Sequence, residues 1–431
     1  MAIPVARRLG GFVYAIRNIV AEAQRVEASG RKVRYLNIGD PVAFGFRTPP
    51  HLIQAVERAL YDGHNGYAPS VGILPAREAV AAECGRRGMA VSPDRVVITA
   101  GTSEGIELAL TALAEAGDEV LIPVPTYPLY TAVLAKIGAR PLFYRTDPSR
   151  AWLPDVDHVR TLITPSTRAL VVIDPNNPTG STYSANVRQQ LVEIADAHNF
   201  PLLADEVYAD LAFDGVVPAL ASHNPDAPVI SFSSLSKAYL APGWRTGWLA
   251  VGRTPRLNEV LAGIKKLADG RLCSTAPMEH AIVAALNGDR THQQTFRAEL
   301  RARAELTSER LNAIAGISVV PPTAAFYAMP KVALPEGFTD EDYVLGLLRA
   351  TGVLCVYGSG FGTAPGDGFF RVVFLAPPEE LSSIYDAIAD FTGQFLAAPT
   401  HAAANAGLTG TSARKPRARS EPGFASQSTL P

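Results

Sequence analysis

A lysine and an arginine lie close together in a setting suited to covalent chemistry. Lys237 occurs in Ser233-Ser234-Leu235-Ser236-Lys237-Ala238-Tyr239, and Arg245 in Pro242-Gly243-Trp244-Arg245-Thr246-Gly247. A lysine amine condenses with an aldehyde to form a Schiff base. An arginine fork grips a phosphate through two oxygens. The chain has seven lysines, and Lys237 alone has serines at both −1 and −3 and a Gly-x-Arg just downstream. This is equipment for holding an aldehyde cofactor and clamping its phosphate. Taken alone, Ser-x-x-Lys equally suits a serine acyl-transfer enzyme with Ser234 as nucleophile, or a surface lysine with no role.

Four further segments bear on that choice. Ala204-Asp205-Glu206-Val207-Tyr208 follows an apolar run. A carboxylate at a strand end points into the crevice where ligands bind. Asp205 there can keep a pyridine nitrogen protonated, since a nearby opposite charge favours the charged form. The other reading of Asp205 is a helix N-cap. Tyr208 is placed to hydrogen-bond a ring oxygen. Asp174-Pro175-Asn176-Asn177-Pro178-Thr179-Gly180 reads as a turn, or as a turn that presents the Asn177 amide to the same oxygen. Thr99-Ala100-Gly101-Thr102-Ser103-Glu104-Gly105 reads as an N-cap, or as an anion site built from helix N–H groups and hydroxyls. Arg371 in Phe369-Phe370-Arg371-Val372-Val373-Phe374 is a charge in an apolar strand, costly unless paired. It reads as a structural ion pair or as a fork for a substrate carboxylate.

The elements that must position these residues are legible in the apolar periodicity. Strand candidates are 96–99, 120–123, 141–144, 169–173, 201–204, 229–232 and 247–251. Helix candidates are 52–61, 74–87, 104–115, 130–137, 185–198 and 257–268. Continuous apolar strands between helices indicate a mainly parallel sheet covered on both faces. Such an α/β domain carries its site at the carboxyl ends of the strands. From about residue 290 the pattern changes to a charged helix over 295–315, strands at 317–320, 325–329, 353–356 and 370–374, and a final helix over 379–395. The expected organisation is an N-terminal arm with one amphipathic helix (1–45), a large seven-stranded α/β domain (46–288), and a smaller α+β domain (289–398) to which the arm contributes. Residues 399–431, rich in Ala, Ser, Thr, Gly and Pro, read as a disordered tail.

At 431 residues the chain suits two to three domains of roughly 150 residues each. With 47% hydrophobic residues and a net charge of −2, nothing points to nucleic acid or an anionic membrane as partner. Three widely spaced cysteines and few, unclustered histidines indicate reduced thiols, no metal site and a cytoplasmic setting. No run approaches the ~20 apolar residues of a membrane span, and no signal peptide is read at the N-terminus.

Together these motifs resemble the fold-type-I pyridoxal-phosphate aminotransferases of the aspartate/alanine aminotransferase class. The match runs over about residues 5–395 and keeps family order and spacing. The resemblance implies pyridoxal 5'-phosphate as cofactor, with Lys237 as Schiff-base lysine and proton shuttle and Asp205 at the ring nitrogen. It implies Asn177 and Tyr208 at the ring oxygen, and Tyr127 stacked on the ring. Gly101, Thr102, Ser103, Ser234 and Arg245 hold the phosphate. Arg371, with Gly39 and Asn177, binds the substrate carboxylate. Tyr67 matches a tyrosine given to a neighbour's phosphate, which implies a homodimer with shared sites. Asn37-Ile38-Gly39-Asp40-Pro41 and Tyr14-Ala15-Ile16-Arg17 look most like alanine aminotransferases, with Tyr14 and Arg17 in an arm that covers the site. The implied reaction is ping-pong transfer of an amino group between an L-amino acid, alanine-like favoured, and 2-oxoglutarate or another 2-oxo acid. The alternative is a β-eliminating lyase of the same fold. A Ser-x-x-Lys hydrolase lacks its Ser-Asp-Asn and Lys-Thr-Gly partners. A non-catalytic regulator lacks a preceding helix-turn-helix.

Overall fold

The computed structural model describes residues 19–397, together with Ile3, Val5, Ala6 and Arg8. Tyr14, Arg17 and the 399–431 tail lie outside the described residues. The arm enters as a helix, Val20–Ala28, which buries Ala23 and Val26. Strand β1 (Arg34–Tyr35) follows.

The large sheet is built from β2 (Val96–Thr99), β3 (Glu119–Val124), β4 (Arg140–Asp147), β5 (Leu153–Pro154), β6 (Thr167–Ile173), β7 (Leu202–Asp205), β8 (Val229–Ser234) and β9 (Gly247–Val251). Their order across the sheet is β2-β9-β8-β7-β6-β3-β4-β5. The pairs from β8 through β7, β6 and β3 to β4 are parallel. Strand β9 runs antiparallel to both its neighbours, and β5 antiparallel to β4. All seven runs named from the sequence form strands. The expected count of seven is corrected to eight by β5, a two-residue edge strand containing a proline, too short to show an apolar pattern.

Alternate residues of the strands from β2 across to β3 enter two different cores, as the period of two requires. Val97, Val120, Ile122, Val171, Leu203 and Leu249 pack with helices Thr102–Leu113, Leu129–Ile137 and Asn258–Gly270. Val96, Ile98, Leu121, Val172, Leu202 and Ala204 pack on the opposite face with helices Leu74–Arg86 and Ala185–Ala197. Both faces are covered, which is why these strands read as unbroken apolar runs.

The C-terminal part carries a 22-residue helix, Thr291–Asn312, packed on the final helix Pro378–Ala397. Its strands are β10 (Ile317–Ser318), β11 (Tyr327–Ala328), β12 (Lys331–Val332), β13 (Val353–Leu354), β14 (Val356–Tyr357) and β15 (Phe370–Val373). The run expected as one strand over 353–356 is two. Leu354 pairs with the arm strand β1, whereas Val356 pairs with β15 opposite Arg371. Buried Cys355 sits at the switch between the two sheets. Parallel pairing of β1 with β13, extended by the bond from the Val373 N–H to the Leu36 carbonyl, ties the arm to the C-terminal part. Among the described residues no helix is long and apolar enough to cross a membrane.

Candidate active site

The carboxyl ends of β6, β7 and β8 open onto a cavity of about 350 Å³. The arm, through Asn37–Asp40, and the C-terminal part, through Tyr327 and Arg371, close it from the other side. Of the residues expected at the site, Gly39, Thr102, Ser103, Tyr127, Asn177, Asp205, Tyr208, Ser234, Lys237, Arg245 and Arg371 all line this one cavity. Tyr67 does not. It is 85% exposed on the surface of this chain.

Lys237 follows β8, and its ammonium donates to the Gly39 carbonyl at 2.8 Å. Burial is the largest influence on it, and Arg371 and Arg245 add to that effect. Asp40 and Asp205 oppose them, and the balance lowers its pKa to about 8. The amine is therefore far closer to its neutral, nucleophilic form at ordinary pH than a solvated lysine. Gly39 has no room for a side chain, since a Cβ would come within 2.1 Å of the Tyr327 hydroxyl.

Asp205 ends β7 and is 4% exposed. Its Oδ2 accepts from the Tyr130 hydroxyl at 3.1 Å, while its Oδ1 is buried without a partner. Burial pushes its pKa up to about 6. The Tyr208 hydroxyl meets the Tyr327 hydroxyl at 2.9 Å. Arg371 is 2% exposed. Its Nη1 donates to Asn177 Oδ1 at 3.0 Å, and its Nη2 donates to the Asn37 carbonyl. Its guanidinium lies between the rings of Tyr327 and Phe361, each centroid 4.8 Å away. With Asn177 Oδ1 given to Arg371, the two N–H donors of that amide are left for an acceptor in the cavity.

The glycine-hydroxyl loop behaves as an N-terminus with a charge beside it. Helix Thr102–Leu113 begins after Gly101, whose φ is 81°. Arg245 reaches the same loop, where its Nη2 donates to the Ala100 carbonyl at 3.3 Å. A Cβ on residue 101 would sit 2.5 Å from that nitrogen, so only glycine lets the guanidinium lie against the loop. Glu104 does not spoil this positive corner, because its carboxylate accepts from the Ala100 N–H and pairs with Arg271 at 2.8 Å.

Three side chains on the cavity wall keep buried polar atoms without partners: Asp205 Oδ1, Thr102 Oγ1 and both ends of the Asn37 amide. Buried polar groups are otherwise almost always satisfied. A carboxylate oxygen at one end, a hydroxyl beside a helix N-terminus and arginine at the other, and a lysine amine between fit the ring nitrogen, phosphate and aldehyde of pyridoxal phosphate. Among the described residues no cluster of three or more metal-binding side chains occurs.

Sequence reasoning assigned no role to Asn37, Tyr130 or Tyr327. Asn37 carried a signal: a polar residue between apolar Leu36 and Ile38, buried to 0% exposure. Tyr130 and Tyr327 lie in an apolar helix and an apolar strand, where a tyrosine reads as core.

A family model for aminotransferase class I and II matches residues 31–388. The chain is 38% identical over 400 residues to an alanine aminotransferase of Mycobacterium tuberculosis, covering 90% of this chain and 92% of the relative. It is 37% identical over 387 residues to the glutamate-pyruvate aminotransferase AlaA of Escherichia coli, covering 88% and 95%. A solved alanine aminotransferase from Pyrococcus furiosus superposes with a TM-score of 0.88 at 38% identity, over 91% of this chain and all of that one.

Proposed function

The chain belongs to the class I and II aminotransferases, and from that premise we propose that it transfers the amino group of L-alanine or a similarly small L-amino acid to 2-oxoglutarate or another 2-oxo acid. It is a pyridoxal-phosphate-dependent aminotransferase. The observation that carries the reading is the unpartnered Asp205 Oδ1 on the wall of the cavity that holds the Lys237 amine.

Bound there, pyridoxal phosphate supplies an aldehyde for covalent attachment and a ring that withdraws electrons from the substrate. The chain's own residues do the rest. Asp205 holds a proton on the ring nitrogen, with Tyr130 fixing the orientation of the carboxylate. Asn177 and Tyr208 would donate to the ring oxygen, and Tyr127 would pack against the ring. The backbone at Gly101, the hydroxyls of Thr102, Ser103 and Ser234, and Arg245 hold the phosphate. Arg371 binds the substrate carboxylate with the Gly39 backbone and Asn177 beside it. Its fork is held flat between two rings, so little freedom is lost on binding. Lys237, with its pKa lowered to about 8, would take the proton from the substrate α-carbon as base and deliver it as acid to a different atom, the carbon that carried the aldehyde.

Two copies with shared sites, each lending Tyr67 to the other, fit the exposure of that side chain. Division into arm (1–45), large domain (46–288), small domain (289–398) and tail belongs to the same reading, as do a cytoplasmic setting and the arm residues Tyr14 and Arg17 over the substrate. The names of the relatives do not favour the β-eliminating lyase. The deciding experiment offers the holoenzyme a panel of amino acids with and without 2-oxoglutarate. Glutamate formation fastest with alanine supports the proposal. Pyruvate and ammonia released from cysteine-type substrates without any 2-oxo acid would replace it with the lyase.

A further inference from the structure

Tyr327 touches three parts of the site at once. Its hydroxyl lies 2.9 Å from that of Tyr208, its ring covers the Arg371 guanidinium at 4.8 Å, and it sets the limit on residue 39. The two phenols meet in a buried place, with their rings nearly perpendicular at 87°. A phenol has one proton to give. If Tyr208 spends its proton on Tyr327, it has none for an acceptor in the cavity. If Tyr327 donates, the Tyr208 proton is free to point at the cavity, and the bond received makes Tyr208 a stronger donor.

We propose that Tyr327 is a positioning residue that donates its hydroxyl proton to Tyr208 and thereby commits the Tyr208 proton to the ring oxygen of the bound cofactor. This rests on the aminotransferase reading and adds a residue that acts through Tyr208. The ring of Tyr327 has a separate task, holding the Arg371 fork in plane. The groups facing Lys237 are Asp40, Arg371, Arg245 and Asp205, and those facing Tyr208 are Tyr327, Tyr127 and Asp205. None of these charges is altered by Tyr327→Phe, which removes one oxygen and keeps the ring.

The test reads the pH midpoint of the visible absorbance of the holoenzyme. A donor to the ring oxygen favours its anionic form and so helps the proton leave the nitrogen linked to Lys237. Weakening that donor raises the midpoint. Tyr327→Phe is expected to raise it by roughly a few tenths of a pH unit. In a Tyr208→Phe background the same change is expected to do nothing, because the two act through one bond. Tyr327→Leu, which also removes the ring, is expected to raise KM for the amino acid, whereas Tyr327→Phe leaves KM unchanged. An unshifted midpoint in Tyr327→Phe, or an equal shift with and without Tyr208, overturns the inference. Complete absence of a visible band from the unaltered protein given pyridoxal phosphate would instead overturn the aminotransferase reading beneath it.

Discussion

Asp205 and Glu206 are adjacent carboxylates, both buried, and the chain treats them in opposite ways. Glu206, the residue after β7, does not line the cavity. Its Oε1 accepts from the Leu220 N–H at 2.7 Å, and its Oε2 accepts from the Ser231 hydroxyl at 2.6 Å and pairs with Arg87 at 3.2 Å. Asp174, at the end of β6, is likewise closed off by Arg188 at 2.6 Å and the Tyr183 N–H. Asp205, one residue from Glu206, turns to the cavity with one oxygen unsatisfied. A buried charge with a full set of partners holds structure, and one left short is held ready for a ligand. The end of β7 separates these roles by a single residue.

The strongest test of that contrast removes the cavity's amine. Lys237→Ala is expected to cut transamination on the order of 10⁴-fold and to abolish the visible absorbance of the bound cofactor. Stability of the cofactor-free protein should hold to within about 1 kcal/mol in urea, since the amine makes its hydrogen bond to one backbone carbonyl. The mirror experiment is Arg87→Met, beside Glu206 and outside the cavity. It leaves Glu206 buried without its cation and is expected to lower stability by about 3–5 kcal/mol, with kcat of the folded fraction nearly unchanged. A large loss of stability in the lysine variant, or none in the arginine variant, would erase the distinction between the cavity and the paired Glu206.

The cavity residues and their supports were not equally legible. Asp205, Asn177, Lys237 and Arg371 stand at strand ends or in a strand, beside turn residues with conspicuous spacing, and the structure brings them to one cavity. Their supports come from distant segments. Tyr130 reaches Asp205 from 75 positions away, and Asn37 meets Arg371 from 334 away, so no local pattern links them. In the fold, β2, β3 and β6 to β9 were visible because both their faces are buried, whereas β4, with Phe143 38% exposed, shows only through the short apolar run at 141–144. Strands β5, β13 and β14 have two residues each, below the length at which periodicity exists. Helix Asp340–Thr351 carries a local start signal, a capping box of Thr339 and Asp342.

A milder probe keeps the shape of Asp205 and removes its charge. In the cofactor-free protein its pKa of about 6 exceeds its ordinary value of 3.8. Between these pH values the folded state holds more protons than the unfolded state, so stability falls as pH rises through the window. Below pH 4 this penalty is absent, and above pH 6 it is complete. Asp205→Asn should therefore stabilise the cofactor-free protein by roughly 2–3 kcal/mol at pH 7 and hardly at all at pH 4. Denaturation curves at the two pH values check this. The same variant should hold the cofactor more weakly, so that a residue which costs the fold stability serves the site.

The smallest expected effect belongs to Tyr130→Phe, which deletes the hydroxyl that donates to Asp205 Oδ2. That bond is the largest influence opposing burial on the Asp205 carboxyl. Without it the carboxyl should take up its proton at still higher pH, and the window of falling stability should extend upward from about 6. A hydrogen bond to a charged group contributes about 1.5 kcal/mol, so turnover at neutral pH should drop roughly tenfold. It should recover partly as pH rises and the carboxyl ionises again. A pH-independent loss of the same size would mean that Tyr130 merely packs, and that Asp205 is held by the strand alone. Recovery at high pH would instead show that the cavity's unsatisfied carboxylate is tuned by the core beside it, through the Tyr130 hydroxyl.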